Sequence, residues 1–260
     1  MLLTERPSLP RTVTWRRAVE PHGRRGAENM AIDAALLEGV DGTDDAYLRL
    51  YRFNPPCLSL GRNEAAGSYD RAAIARLGVD VVRRPTGGGA VWHQHEVTYA
   101  VAAPIAAFGG LREAYHAIHT RLAAALRTLG ADAALASDRQ TAHPPDRPGP
   151  CFARPAGGEI LVGGRKVVGS AQVRRGGALL QHGSILLDGS QDVIHTVSRK
   201  AQLVSGGTTL AEALGRPVTW SEVVAAVVQA WGDECTPTAP SRPPPPSTAL
   251  FLDPAWTWRR

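Results

Sequence analysis

The pattern of apolar and polar positions along the chain predicts alternating helices and strands. Three stretches are predicted to be helices, and the first two carry an apolar stripe that is typical of amphipathic helices. They are Glu28–Leu37, Leu111–Leu129 and a stretch that opens with Thr219-Trp220-Ser221-Glu222 and runs to Trp231. The last of these opens as a capping box, and Gly130 stands where the second helix needs a C-terminal cap. A shorter helix is predicted over about Asp70–Leu77.

Seven further stretches have the alternation or the apolar run of a strand. They are Tyr47–Phe53, Cys57–Gly61, Val79–Val82, Val97–Val101, Glu159–Val162, Arg165–Val168 and Ala178–Leu187. We expect Val97–Val101 to pair with Val79–Val82. The last three strands are expected to form a meander, because Gly163-Gly164 signals a tight hairpin and residues 174–177 make the next turn. Strands joined by tight turns predict an α+β fold with a mixed, mostly antiparallel sheet and flanking helices.

Length and composition place the chain among ordinary globular proteins. It has 260 residues, of which 43% are apolar and 20% charged, enough for a sizeable core. No run of about 20 apolar residues would span a membrane, and the apolar N-terminal stretch is too short for a signal peptide. We expect one folded domain over residues 14–232, a loose arm before it, a proline-rich tail over 233–260, and no separate accessory domain.

Charge and cysteine content narrow the choice of partners and compartment. The net charge of +5 comes almost entirely from arginine, since Lys166 and Lys200 are the only lysines. No zinc-finger spacing, RNP-type aromatic string or long basic block predicts nucleic-acid binding, whereas the charge suits acidic protein partners. Three cysteines argue against a disulfide framework and favour a reducing cytoplasm.

The strongest signal for a binding site is the stretch 83–93, which reads Arg-Arg-Pro-Thr-Gly-Gly-Gly-Ala-Val-Trp-His. Two cations precede a turn and three residues without side chains. Glycines let backbone N–H groups approach a ligand closely, and adjacent N–H groups form a concavity that tolerates an anion. A glycine-rich hairpin corner with solvated arginines is the alternative, but it does not account for so specific a string between two strands.

Cys151 and Lys166 are candidates for nucleophilic chemistry. Cys151 follows Pro-Gly-Pro at the end of a polar loop, which is poor core material and a typical place for active-site residues. Cys57, within an apolar strand, fits a buried structural thiol better, and Cys235 fits no particular role. Lys166 lies just after the Gly-Gly turn. A solvated hairpin lysine is the simpler interpretation, but a lysine beside a cysteine would favour the nucleophilic thiolate.

Histidines offer weaker signals. His93 and His182 could each orient a ligand or act as a base, although a structural role is the commoner one for such residues. His93, His95 and Glu96 lack a further ligand at the usual zinc spacing, so no metal site is predicted.

Taken together, these motifs resemble those of the lipoate-protein ligase and octanoyltransferase superfamily, relatives of the biotin protein ligases. The resemblance rests on residues 83–93 followed by Glu96–Tyr99, and on residues 164–172, Gly-Arg-Lys-Val-Val-Gly-Ser-Ala-Gln. Asn29–Asp33 and Leu58–Gly61 follow the family's order, and the likeness runs from about residue 14 to 232. It implies a biotin/lipoyl protein ligase catalytic-domain fold, which is similar to that of class II synthetases.

Within the superfamily, Cys151-Phe152 and the stretch 180–187 make the chain most similar to the cysteine-dependent octanoyl-[acyl-carrier-protein]:protein N-octanoyltransferases. The resemblance implies that Cys151 is the acyl-carrying nucleophile. It also implies that Lys166 lowers the pKa of that thiol and orients the acyl carbonyl. The substrate-binding residues that it implies are Arg84, Gly87, Gly88, Gly89, Ala90, Val91, Trp92, His93, Gly169, Ser170, Ala171, Gln172, His182 and Gly183.

The implied reaction moves an octanoyl or lipoyl group from octanoyl-acyl carrier protein, through a cysteine acyl-enzyme, to a lysine of a lipoyl domain. Glycine cleavage protein H and dehydrogenase E2 subunits are acceptors of this kind. No cofactor is expected, because a thioester is already activated. The alternatives are ATP-dependent lipoate ligation through lipoyl-adenylate, which needs ATP and Mg, an octanoyl amidotransferase acting between lipoyl-domain proteins, and an inactive binding protein. Biotin ligation is disfavoured, because the glycine-arginine-rich biotin loop is absent.

Overall fold

The computed structural model describes residues 13–137, 152, 157–199, 206–233, 235–238 and 247–259. The strands are β1 Thr14–Val19, β2 Asp45–Tyr51, β3 Cys57–Leu60, β4 Asp80–Arg83, β5 Val91–His93, β6 Glu96–Pro104, β7 Ala133–Leu135, β8 Ile160–Val162, β9 Arg165–Lys166, β10 Val168–Arg175, β11 Ala178–Leu186 and β12 Thr236–Pro237. The helices are α1 Gly26–Gly39, α2 Arg71–Leu77, α3 Leu111–Thr128, α4 Val193–Val197, α5 Leu210–Leu214, α6 Trp220–Trp231, α7 Ala249–Leu252 and α8 Pro254–Thr257.

A six-stranded sheet in the order β10-β11-β6-β2-β1-β12 forms the centre of the molecule. The strands from β10 to β2 pair antiparallel, and β1 pairs parallel with both β2 and β12. Helices α3 and α6 cover one face and α1 covers the other, so the central strand β6 is buried over almost its whole length. This mixed, mostly antiparallel sheet with flanking helices confirms the predicted α+β class.

Two three-stranded sheets stand beside the main one, in the orders β4-β3-β5 and β7-β8-β9. The expected pairing of Val97–Val101 with Val79–Val82 is wrong. Strand β4 pairs parallel with β3, while β6 pairs with β11 and β2. The short strand β5 intervenes and pairs with β3, because β6 carries apolar residues on both faces and belongs in the core.

The predicted meander is also split between two sheets. Gly163-Gly164 does join β8 to β9 as a tight hairpin. At Val167, however, the chain leaves the small sheet and continues as β10, which pairs with β11 in the main sheet. Val167 and Val168 are both fully buried, and two consecutive inward residues break the alternation of a single strand. The expected strand Arg165–Val168 is therefore two strands in two sheets.

The structure agrees with the helices predicted at α2 and α6. The Asp70 carboxylate accepts the N–H groups of Ala72 and Ala73 at the start of α2, and Gly78 ends that helix at φ 64°. Thr219 and Glu222 form the predicted capping box of α6. Among the helices of the described ranges, none has both the length and the apolarity to cross a membrane.

Structure continues after α6, where the sequence predicted no further element. Strand β12 adds to the edge of the main sheet beside β1. Helices α7 and α8 then pack against α1 and β4, and bury Phe251 in the core beneath α1. Most of the loose arm, most of the polar loop before Cys151 and residues 239–246 of the proline tract lie outside the described residues. The domain boundary at 232 stays a prediction.

Candidate active site

A pocket with mostly apolar walls lies between the main sheet and the β4-β3-β5 sheet. Its empty volume is about 350 Å³, part of which is open to solvent. Strands β10 and β11 form one wall and the glycine-rich stretch the opposite one. The lining residues are Met30, Tyr51, Phe53, Ser59, Arg84, Val91, His93, Thr98, Gly169, Ser170, Ala171, His182, Gly183 and Ser184.

Gly183 keeps the β10–β11 wall flat. It stands opposite Ser170 in the antiparallel ladder. A Cβ at this position would overlap the carbonyl oxygen of Gly169 and would lie 2.6 Å from Ser170 Oγ and 2.9 Å from a ring carbon of Tyr99. Only glycine therefore fits here, because neighbouring protein atoms fill the place that a side chain would take.

Arg84 shapes the glycine-rich wall. Its Nη2 donates to the carbonyl oxygens of Gly87 and Gly89, each at 2.7 Å. Its Nη1 donates to the carbonyl and the hydroxyl of Ser59, each at 3.1 Å. Gly88, between the two bound carbonyls, has φ +85°, a conformation that favours glycine. One buried guanidinium thus holds the loop in its curved form and ties it to β3.

His182 connects the glycine loop to a buried carboxylate. Its Nδ1 donates to Asp33 at 2.8 Å and its Nε2 accepts the hydroxyl of Thr86 at 2.6 Å. Burial lowers the pKa of His182, so the ring is neutral and this tautomer satisfies both partners. Asp33 also accepts from Arg49 and from the Tyr51 hydroxyl, each at 2.8 Å. Sequence reasoning missed Asp33, because its partners are far away along the chain.

His93 is fixed in the same way. Its Nδ1 lies 2.6 Å from a Glu96 carboxylate oxygen and its Nε2 lies 2.7 Å from the Ser59 hydroxyl. The ring stacks on Phe53 with the centroids 4.1 Å apart. Since both nitrogens are engaged, His93 serves as a rigid part of the wall.

A second hydrogen-bond chain runs behind Ser170. Gln181 donates to the Tyr99 hydroxyl at 2.8 Å, and that hydroxyl lies 2.6 Å from Ser170 Oγ. Ser170 Oγ lies 2.8 Å from His119 Nε2, whose Nδ1 donates to the Gly158 carbonyl at 2.6 Å. Burial lowers the pKa of His119 to about 4, so its Nε2 is a permanent acceptor near neutral pH. Nothing in the helical pattern of α3 singled out this histidine.

Lys166 is buried at the end of β9, next to the pocket wall. Its Nζ lies 2.5 Å from an oxygen of Glu159, which is also buried. The same nitrogen stands 5.3 Å from the ring centre of Phe152, which packs against Val91 and Leu186. Lys166 and Glu159 therefore form a buried ion pair. The sequence did not predict this carboxylate partner. Cys151 lies outside the described residues.

The lipoyl protein ligase A/B catalytic domain matches residues 25–232 of the chain. The chain belongs to this family. It is 41% identical over 224 residues to the octanoyltransferase LipM of Symbiobacterium thermophilum, covering 80% of this chain and 81% of that protein. It is 40% identical over 219 residues to the octanoyltransferase LipM of Moorella thermoacetica, covering 78% of this chain and 80% of that one. The enzyme is therefore an acyltransferase.

A structural comparison supports the fold. The crystal structure of P. falciparum LipL1 in complex with lipoate superposes with a TM-score of 0.72, covering 94% of this chain and 74% of that one. The identity is 17%, so this likeness bears on the fold alone. It agrees with the lipoyl ligase-like catalytic domain expected from the motifs.

The family's predicted binding residues fall into two groups in the structure. Those that line the pocket are Arg84, Val91, His93, Gly169, Ser170, Ala171, His182 and Gly183. Within the described ranges, the others lie outside the lining. Residues 87–90 form the loop that Arg84 holds, and Trp92 packs with Leu58 and Leu60. Gln172 donates to the Leu111 carbonyl and to Gln181. Their roles toward a substrate stay predictions.

The remaining cysteines are poor nucleophiles. Cys57 is fully buried in β3, where burial raises the pKa of its thiol well above the usual range. Burial raises the pKa of Cys235 to about 12. In the described part of the chain, no group of three His, Cys, Asp or Glu side chains is arranged to hold a metal ion.

Proposed function

We propose that this enzyme transfers an octanoyl group from a thioester donor to a lysine of a lipoyl domain, and that Cys151 carries the acyl group between them. One observation carries the proposal. Phe152, the residue bonded to Cys151, packs on Val91 of the pocket wall, and its ring lies 5.3 Å from Lys166 Nζ. The chain therefore brings the cysteine's neighbour to both the cation and the pocket. The relatives named for octanoyl transfer support the choice of acyl group.

The pocket suits a medium-length aliphatic chain. Met30, Phe53 and Val91 provide apolar surface. Burial of each methylene group contributes about 0.8 kcal/mol, so a slot of this kind selects acyl groups by length.

In the first step, the Cys151 thiolate attacks the carbonyl carbon of octanoyl-acyl carrier protein. A new C–S bond forms, the bond to the carrier sulfur breaks, and the carrier thiolate leaves and takes up a proton. The step exchanges one thioester for another, so its free-energy change is small, and it needs neither ATP nor another cofactor. Backbone N–H groups of the glycine loop would stabilise the oxyanion.

Lys166 favours the ionised thiol in this scheme, because an adjacent ammonium attracts a thiolate. Glu159 limits the effect, since the pair of Lys166 and Glu159 has no net charge. The carboxylate also fixes the direction of the ammonium, which then points at one place rather than sampling several rotamers.

In the second step, the neutral amine of the acceptor lysine attacks the acyl-enzyme carbonyl. An amide bond forms, the amine gives up a proton, and Cys151 leaves as a thiolate beside Lys166. A lipoyl domain of glycine cleavage protein H or of a dehydrogenase E2 subunit is the proposed acceptor.

The test is intact-mass measurement after incubation with octanoyl-acyl carrier protein in the absence of ATP. We expect the enzyme to gain one octanoyl group and Cys151→Ala to gain none. Cys235→Ala is the matched control and should still be acylated, because that thiol is buried. An adduct on Cys151→Ala would disprove the nucleophile. Product formed only with ATP and a free acid would show a ligase instead.

Lys166 needs a more careful variant, because Lys166→Ala alone removes the cation that the buried Glu159 carboxylate pairs with, at a cost of about 3–5 kcal/mol. The double variant Lys166→Met with Glu159→Gln removes both charges. We expect the pH midpoint of iodoacetamide labelling at Cys151 to rise in the double variant, with Cys57 and Cys235 unlabelled in both proteins. An unchanged midpoint would contradict the proposed role of Lys166.

A further inference from the structure

Residues 247–259, which we call the tail segment, pack against the domain beside the glycine-rich stretch. Phe251 is buried in the cluster beneath α1 that includes the pocket residue Met30. Trp258 packs against the cluster around Leu58 and Leu60 of β3. The segment lies beyond residues 25–232, the part that matches the family domain.

Three hydrogen bonds connect the tail segment to Arg83, the first arginine of the glycine-rich stretch. Arg83 Nε donates to the Thr257 carbonyl at 3.0 Å, and Nη2 donates to the Arg259 carbonyl at 3.4 Å. In return, the indole Nε1 of Trp256 donates to the Arg83 carbonyl at 2.9 Å. Both the backbone and the side chain of Arg83 are thus held by the tail.

The other side of the same guanidinium holds the turn 61–64. Arg83 Nη1 donates to three carbonyls of that turn, at 2.5, 2.7 and 3.2 Å. The turn 61–64 is in turn hydrogen-bonded to the glycine loop. One of its N–H groups donates to the Thr86 carbonyl at 2.8 Å, and the Glu64 carboxylate accepts the N–H of Ala90 at 3.2 Å. A continuous path of hydrogen bonds therefore runs from the tail to both ends of the loop.

Arg83 acts here as a bridge between carbonyl groups. Its side chain is fully buried, and within the described residues it forms no ion pair with a carboxylate. A guanidinium presents five N–H donors in a fixed plane, which lets one side chain span two segments. If the tail carbonyls moved away, the buried N–H groups would lose their acceptors, a costly state that would draw the guanidinium and the turn out of place.

We propose that the tail segment is a positioning element of the active site, which holds the glycine-rich loop in its curved form beside the acyl pocket. It acts through Arg83 and the turn 61–64, without touching the substrate. The kinetic part of the inference rests on the proposed octanoyl transfer, whereas the structural part stands without it.

The test compares Trp256→Phe with Leu252→Ala in the full chain. The phenylalanine variant keeps an aromatic ring against Phe251 but removes the N–H that reaches Arg83. Leu252 belongs to the same segment and is exposed, so its variant is the matched control. Hydrogen exchange of the amides of residues 86–90 reports the loop, and KM for octanoyl-acyl carrier protein reports the pocket.

We expect Trp256→Phe to speed loop exchange and to raise KM by about 5-fold, with kcat and the exchange of β6 unchanged. A purely structural role would lower the folded fraction and leave KM unaltered. Loop exchange equal to that of the unmodified protein, or an equal change in Leu252→Ala, would overturn the inference. If no protein transfers octanoate, the exchange measurement still decides the matter.

Arg83→Lys disrupts the same connection on the Arg83 side, because a compact ammonium cannot bridge the tail segment and the turn 61–64. Combined with Trp256→Phe, it should add little to the larger single effect, since both changes break one connection. Fully additive effects on loop exchange would show that the two residues act separately and would refute the path.

Discussion

The two walls of the pocket are built by different means. The wall of β10 and β11 is fixed by backbone ladders on both sides of β11, so its geometry follows from strand register. The glycine-rich wall opposite has a curved backbone: Arg84 donates to its carbonyl oxygens, and Arg83 donates to those of the adjoining turn 61–64. A ladder distributes its stability over many equivalent bonds. The loop depends instead on two side chains, Arg83 and Arg84. Single substitutions in the loop should therefore change its shape and cost less free energy of unfolding than substitutions in the ladder wall.

The largest effect is expected beneath the ladder wall, at Arg49→Met. This buried guanidinium pairs with Asp33, which is also fully buried, and its removal leaves an uncompensated charge. We expect a loss of about 3–5 kcal/mol in the free energy of unfolding, measured by urea denaturation. Arg16→Met is the control, because Arg16 forms an exposed pair with Asp45. That variant should lose about 0–1 kcal/mol. Equal losses would show that the buried pair has no special role.

Behind the same wall, His119 predicts a specific dependence on pH. The folded protein keeps this imidazole neutral down to about pH 4, whereas an unfolded histidine takes up a proton near pH 6.5. The contribution of the neutral His119 to the free energy of unfolding is therefore complete above pH 6.5 and is lost as the pH falls toward 4. It amounts to about 3 kcal/mol.

His119→Gln should flatten the curve of unfolding free energy against pH by about one proton between pH 6.5 and 4. Parallel curves for the native protein and His119→Gln would show that the histidine is not held neutral.

A smaller effect is expected on the loop wall, at Gly61→Ala. A Cβ on Gly61 would overlap the carbonyl oxygen of Gly88 and push the glycine loop away from the turn 61–64. Overpacking of this kind costs about 1–3 kcal/mol, and we expect octanoyl transfer to fall more than stability does. At Gly87, a Cβ would meet no atom of the described residues within 4 Å. Gly87→Ala should therefore change stability by less than about 0.5 kcal/mol. Similar stability losses in the two variants would contradict the contact.

Local chemistry explains which elements could be predicted from sequence. Asp70 and Gly78 delimit α2, and Gly163-Gly164 makes a hairpin, because each signal acts within a few residues. Strand partners depend on distant residues instead. The apolar stretch at Val97 reads the same whether it pairs with β4 or lies in the middle of a six-stranded sheet, so its partner was predicted wrongly.

The candidate site shows the same division. The glycine-rich stretch and Lys166 could be found because their composition is unusual for this chain. Asp33 and Glu159 could not, because a carboxylate in a helix or at the start of a strand is common, and only the fold brings each to its buried partner. The tail segment was missed because the proline tract before it hid a short helical sequence.

Strand β9 ends at Lys166 and β10 begins at Val168, so a single valine joins the small sheet that presents the ammonium to the main sheet that shapes the slot. The charge and Gly169, the first residue of β10 that lines the pocket, are thus kept within a few peptide bonds of each other. Substitutions at the lining residues Met30 or Phe53, which belong to other parts of the chain, would change the pocket without altering this short connection.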